Sequence, residues 1–181
     1  MYAFIQNGQC VAYPYTVLDY QTSHPNVSVP QTATNAQLEE LGIYLVKPVT
    51  PPVVTVFQTL TDGTPVLQNG VWTQNWVIGS ATPLQVQSNK AAMIAQCEQD
   101  NQERMDTFAQ TRGYDNMLSA CTYATSTTEP YKTEGQYCVS ARDASWSDFY
   151  AYFAACEAGS QPWPTSFADV IPSLPALQWP V

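Results

Sequence analysis

The sequence predicts an α+β protein: a small β-rich N-terminal unit over residues 1–81, then a C-terminal helical bundle over 82–181 with one long helix. Three observations carry this. Eight of the fourteen prolines fall from Pro14 to Pro83 and five from Pro162 to Pro180, with only Pro130 between. Proline breaks helix interiors, so long helices are confined to the middle of the chain. Asn-Gly or Asp-Gly pairs at 7–8, 62–63 and 69–70 sit beside apolar runs, a hairpin signal. From Thr82 onward, apolar residues recur at helical rather than alternating spacing.

The opening MYAFIQNGQCVAYPY reads as two short strands around an Asn7-Gly8 turn. Asn35 to Leu41 reads as a short helix capped by Asn35, with Gly42 ending it in the left-handed conformation. IYLV follows as a strand, then Pro48, Pro51 and Pro52 as a linker. VVTVFQTL and VLQNGVWTQNWVI read as further strands, with turns at Asp62-Gly63 and Asn69-Gly70. In the last of these, Trp72, Gln74 and Trp76 share one face by period-two alternation.

Thr82-Pro83 opens the long helix, with Thr82 as cap and Pro83 in the first helical position. It runs to about Arg112 and stops at Gly113. Ile94, Cys97, Asn101, Met105 and Phe108 form one narrow stripe, which suits packing against one neighbour or a short coiled coil. Asp115 caps a short helix through Met117, Leu118, Cys121 and Tyr123. Thr128 caps a third helix that reaches Ala158 before Gly159. On it, Trp146, Phe149, Tyr150 and Phe153 fall at i, i+3, i+4 and i+7, one apolar face. Thr165 to Ile171 reads as a last short helix, and SLPALQWPV as an extended tail lying on a surface.

Composition narrows the function. The 181 residues suit one domain or two small ones. Net charge is −9, and only 12% of residues are charged, against roughly 25% in ordinary soluble proteins. Polarity comes instead from 17 Gln and 19 Thr. Three Lys and three Arg make a poor phosphate binder, so nucleic acid is not an expected partner. A surface of neutral amides and hydroxyls can be buried against another protein with little ion desolvation, which suits a subunit of an assembly. The charge is uneven: four acids face Lys47 alone up to residue 81, and eleven acids face five bases beyond it. The nearly uncharged β unit is therefore the expected attachment surface.

MYAFIQNGQC has neither a basic segment nor a long apolar run, so no secretory signal is predicted. The apolar stretches are too short to span a bilayer, and no membrane insertion is expected. Cys10, Cys97, Cys121, Cys138 and Cys156 show no CxxC spacing, and with one histidine no Cys/His metal pattern can be built. Reduced, buried thiols are expected, with a Cys121–Cys138 or Cys138–Cys156 bridge left open.

No catalytic constellation is visible, and neither a cofactor nor a metal is predicted. A Ser–His–Asp or Cys–His triad would have to use His24, which sits in an apparent turn, SHPN. Asp143 and Asp148 flank Trp146 in the manner of a glycosidase pair, but they also fit the wet side of an amphipathic helix. Glu39 and Glu40 are adjacent on a helix and point apart. The residues offered for binding are Trp72, Gln74 and Trp76, as a protein interface or as a stacking platform for a glycan.

The stretch GYDNMLSACTYATSTTEPYKTEGQYCVSARDASWSDFYAYFAACEAG, followed by QPWPTSFADVIPSLPALQWP, resembles the C-terminal region of small tailed-bacteriophage proteins encoded beside tail-fibre genes. The N-terminal YPY, PNVSVP, LEELGIYLV and NGVWTQNW are similar to the same group more loosely. The resemblance implies a virion tail protein made in the bacterial host cytoplasm, without catalysis. Its partners would be other tail proteins of the fibre or baseplate, with a homo-oligomer possible. The implied role is a structural tail-fibre or baseplate subunit. The alternatives are a tail-fibre assembly chaperone and a receptor- or glycan-binding tip. Cys121, Tyr123, Tyr137, Cys138 and Trp146 within the matched stretch are expected to be contacts between helices.

Overall fold

A computed structural model describes residues 1–180. The fold is α+β, with strands concentrated before residue 81 and two long helices after it. The chain divides into two compact units. One comprises Met1–Val53 with Thr59–Gly79; the other comprises Val54–Gln58 with the chain from Ser80 onward. Residues 54–58, placed in the β unit by the sequence, thus belong with the helices. The Ala81 amide donates to the Phe57 carbonyl (2.9 Å), and the Asn89 side-chain amide donates to the Val56 carbonyl (3.1 Å).

In the first unit, β1 (Tyr2–Gln6) and β2 (Gln9–Tyr15) form the predicted hairpin. Asn7 and Gly8 take φ of 51° and 77°, as a two-residue turn of this hand requires. A third strand, β3 (Ile43–Leu45), pairs with the other edge of β1, giving the antiparallel order β2-β1-β3. Alternation along β1 sends Ala3 and Ile5 to one face and Tyr2 and Phe4 to the other. Tyr15, Tyr20, Val29, Leu38 and Ile43 cover the second face, while Val46 and Trp72 cover the first.

Two helices close this unit. The helix α1 (Val17–Ser23) has a sequence signal that the pattern of apolar residues hides. Thr16 accepts from the Asp19 amide, and the Asp19 carboxylate accepts from the Thr16 amide, a reciprocal cap. The helix α2 (Asn35–Glu40) is capped by Thr34 with Gln37, not by Asn35, because Thr34 holds the extended backbone a cap needs. Gly42 stops it at φ 82°, and a Cβ there would lie 2.8 Å from the Ile5 carbonyl oxygen.

The last two strands, β4 (Gln58–Gln68) and β5 (Val71–Ser80), form a separate two-stranded ribbon turned at Asn69-Gly70. The expected strand over Val53–Leu60 and the turn at Asp62-Gly63 are both corrected. A local turn at Thr55–Gln58, held by Thr55 hydrogen bonds to the Gln58 amide oxygen, precedes the strand. Asp62 and Gly63 then continue it. Gly63 is required by a close approach rather than a turn: a Cβ would stand 2.6 Å from a Val77 methyl.

In the second unit, α3 (Pro83–Gln110) starts as predicted, with Thr82 and Gln85 in a reciprocal cap and Pro83 at the first position. Cys97, Asn101, Met105 and Ala109 form its buried stripe. The helix α4 (Met117–Thr122) is capped by Asn116, not Asp115, through the Asn116 side-chain oxygen and the Ser119 amide (2.8 Å). A 3-10 turn over Tyr123–Thr125 leads toward α5 (Tyr131–Glu157). Thr128 does not cap α5. Pro130 holds the cap position without a side-chain cap, and the preceding Glu129 carboxylate accepts from the Thr133 amide (3.2 Å) and hydroxyl (2.7 Å).

Gly135, inside α5, lets the 3-10 turn lie directly on the helix; a Cβ would collide with the Ala124 backbone nitrogen. One core joins Cys97 of α3 to Phe149, Tyr152, Phe153 and Cys156 of α5. A second joins Met105 and Ala109 to Met117, Ala120, Cys121 and Cys138. The narrow stripe of α3 therefore packs on its own bundle. The last expected helix is instead two 3-10 turns, Phe167–Asp169 and Ile171–Ser173. The tail beyond them is extended, as predicted. Trp179 stacks on Phe108 at 4.3 Å and donates to the Thr111 hydroxyl (2.9 Å).

Candidate functional site

The three residues proposed for binding are brought together on β5, but in different settings. Trp72 is only 8% exposed and packs against Ala3, Ile5 and Val46, with Tyr44 edge-on at 6.4 Å. Its face is core, not a platform open to a ligand. Gln74 accepts from the Val49 amide (3.2 Å), and the Trp76 indole N–H donates to the Val49 carbonyl (2.9 Å). Beside them, Lys47 and Thr73 bridge in parallel. These side chains pin the ribbon to the segment after β3, a structural task.

What the ribbon leaves open is apolar. Leu67 is 56% exposed and Ile78 48%, and Val66, Val71 and Val77 are exposed beside them. The only charged residue from Gln58 to Ser80 is Asp62. It accepts from the Tyr13 hydroxyl (2.7 Å), and burial, then Asp62, pushes that phenol up to about 12. The sequence carries a signal for this surface. Val66-Leu67 and Val77-Ile78 are adjacent apolar pairs, and neighbouring strand residues point to opposite faces. Both faces of the ribbon therefore carry apolar side chains.

Several titratable side chains elsewhere have structural partners. His24 caps α1: its Nδ1 lies 3.1 Å from the Tyr20 carbonyl oxygen, and its ring stacks on Tyr20 at 4.2 Å. Asp143 pairs with Arg142 (2.8 Å). In the helical unit a buried carboxylate, Glu134, accepts from Arg112 and from the Tyr114 hydroxyl (2.8 Å). Burial, followed by Glu134, raises the Tyr114 phenol. Arg104 donates to Ser145 Oγ (3.0 Å), Asn101 Oδ1 (3.3 Å) and the Pro175 carbonyl (3.1 Å), tying α3, α5 and the tail together.

Among the described residues all five cysteines are unpaired, so neither bridge left open by the sequence is formed. Burial pushes Cys97 and Cys138 up to about 11, which keeps both as neutral thiols near pH 7. Cys121 is buried as expected, but Tyr123 is 41% exposed, and Tyr137 and Trp146 are partly buried. No group of three His, Cys, Asp or Glu side chains among the described residues could hold a metal ion. No described helix is long and apolar enough to cross a membrane. No protein-family model, curated protein or solved structure matches the chain.

Proposed function

We propose that this chain is a structural, non-catalytic subunit of a bacteriophage tail. It attaches to a neighbouring fibre or baseplate protein through the β4–β5 ribbon. The ribbon's exposed, almost uncharged apolar surface carries the reading. A two-stranded ribbon is marginal in water, and natural edge strands are guarded by charge or by a covering element. This one has a single charged residue along both strands. Burial of Val66, Leu67, Val71, Val77 and Ile78 against another protein removes apolar area from water without desolvating ions. Such an attachment depends little on salt.

The resemblance along Gly113–Gly159 and Gln161–Pro180 to small tailed-bacteriophage proteins supports the tail context. The test is quantitative mass spectrometry of purified particles from a host supplying either the natural chain or a Leu67→Glu/Ile78→Glu variant. The natural chain is expected at fixed stoichiometry. The variant is expected to keep its melting temperature, since both sites are exposed, and to be missing from particles. A natural chain absent from particles overturns the reading in favour of the assembly chaperone. Normal incorporation of the variant overturns the ribbon as the attachment surface.

A further inference from the structure

We propose that a groove between α3 and α5 docks a basic segment of a partner protein, with an arginine or lysine side chain lying over Trp146. The groove is shallow and open, with a volume of about 610 Å³. Trp146 lines it half-buried, and Tyr150, 55% exposed, stacks on the indole with centroids 5.8 Å apart and planes at 24°. The opposite wall is one face of α3, where Gln99, Gln102, Glu103 and Asp106 fall at i, i+3, i+4 and i+7, with Glu98 beside them. An aromatic face rimmed by carboxylates attracts a cation through both the ring quadrupole and the charges.

Charge selects the occupant. Lys90 is paired with Glu157, Arg112 with Glu134 and Arg142 with Asp143. Arg104 turns inward onto neutral oxygens. No cation lines the groove, and among the described residues neither Glu98 nor Glu103 forms an ion pair. A second copy of this chain, also carrying −9, meets repulsion there; a basic segment meets attraction. Gln99 offers its amide to the backbone of an extended peptide, while Gln102 donates to Asp106 Oδ1 (2.9 Å) within the same wall. The reading rests on the helical unit alone and does not depend on the ribbon.

The test is fluorescence anisotropy of a dye-labelled peptide alternating glycine and arginine, titrated with the full chain. Glu98→Gln/Glu103→Gln is compared with Glu39→Gln/Glu40→Gln, which removes the same charge from α2. Binding is expected to weaken about tenfold in the first variant and stay unchanged in the second. It should also weaken between about 20 and 200 mM salt as screening sets in. In parallel spectra the Trp146 indole N–H resonance is expected to move on titration. Absence of binding overturns the proposal, as does equal binding of the glutamate counterpart. An equal loss in both variants overturns it too, because that would mark an unspecific attraction to net charge.

Discussion

The ribbon and the helical bundle meet water in opposite ways. From Gln58 to Ser80 the chain has one charge and a row of exposed aliphatic side chains. From Ser80 onward most large apolar groups are buried in two connected cores, and charge is plentiful outside them and even within, at Glu134. The bundle buries its large apolar side chains between its own helices. The ribbon has a sparse core, pinned at Trp72 and Val49, and leaves its aliphatic side chains in water.

The comparison breaks first at Phe149, fully buried where α3 meets α5. Phe149→Ala is expected to lower stability by about 3–5 kcal/mol in denaturant titrations that follow helical signal. A loss under about 1 kcal/mol would mean that the bundle does not depend on this core. Gly135→Ala comes next. The added methyl drives the 3-10 turn off α5 and is expected to cost about 2–3 kcal/mol, although alanine is the better helix former.

Alkaline pH probes the helical cores without mutation. Cys97 and Cys138 ionise near 11 in the fold, above their ordinary value of 9.0. The stability they contribute is whole below about pH 9 and is lost as pH climbs toward 11. Thermal melts of the helices should therefore fall through that window. For the same reason, a thiol reagent at neutral pH should label the half-exposed Cys10 well before Cys97 or Cys138, as read by mass spectrometry after a timed quench. The smallest effect belongs to the ribbon. Trp76→Phe removes one hydrogen bond to Val49 and should cost about 1 kcal/mol, measurable as a small shift in the denaturation midpoint.

Elements with local signals were legible in the chain: the Asn7-Gly8 and Asn69-Gly70 turns, the Thr82-Pro83 start, the stops at Gly42 and Gly113. Misreadings cluster where two local signals compete. Asp62-Gly63 has the composition of a turn, yet Gly63 is needed for the approach of Val77 across the ribbon. Asn35, Asp115 and Thr128 are all suitable caps, but Thr34 and Asn116 cap α2 and α4, and Pro130 takes the cap position of α5. Cap choice depends on backbone angles that composition does not report. The candidate site was half legible. Alternation placed Trp72, Gln74 and Trp76 on one strand, but burial of Trp72 depends on Ala3, Ile5 and Val46, which are distant in sequence.

Proline spacing, hairpin dipeptides and apolar period were enough to define an α+β chain with its long helices in the middle, because each acts over a few residues through backbone sterics and hydrogen bonding. Tertiary structure alone decided which apolar residues stay exposed, why Gly135 must lack a side chain, and that carboxylates of α3 line a groove with Trp146. Those properties arise from close approach between segments far apart in sequence, and no local pattern encodes that distance.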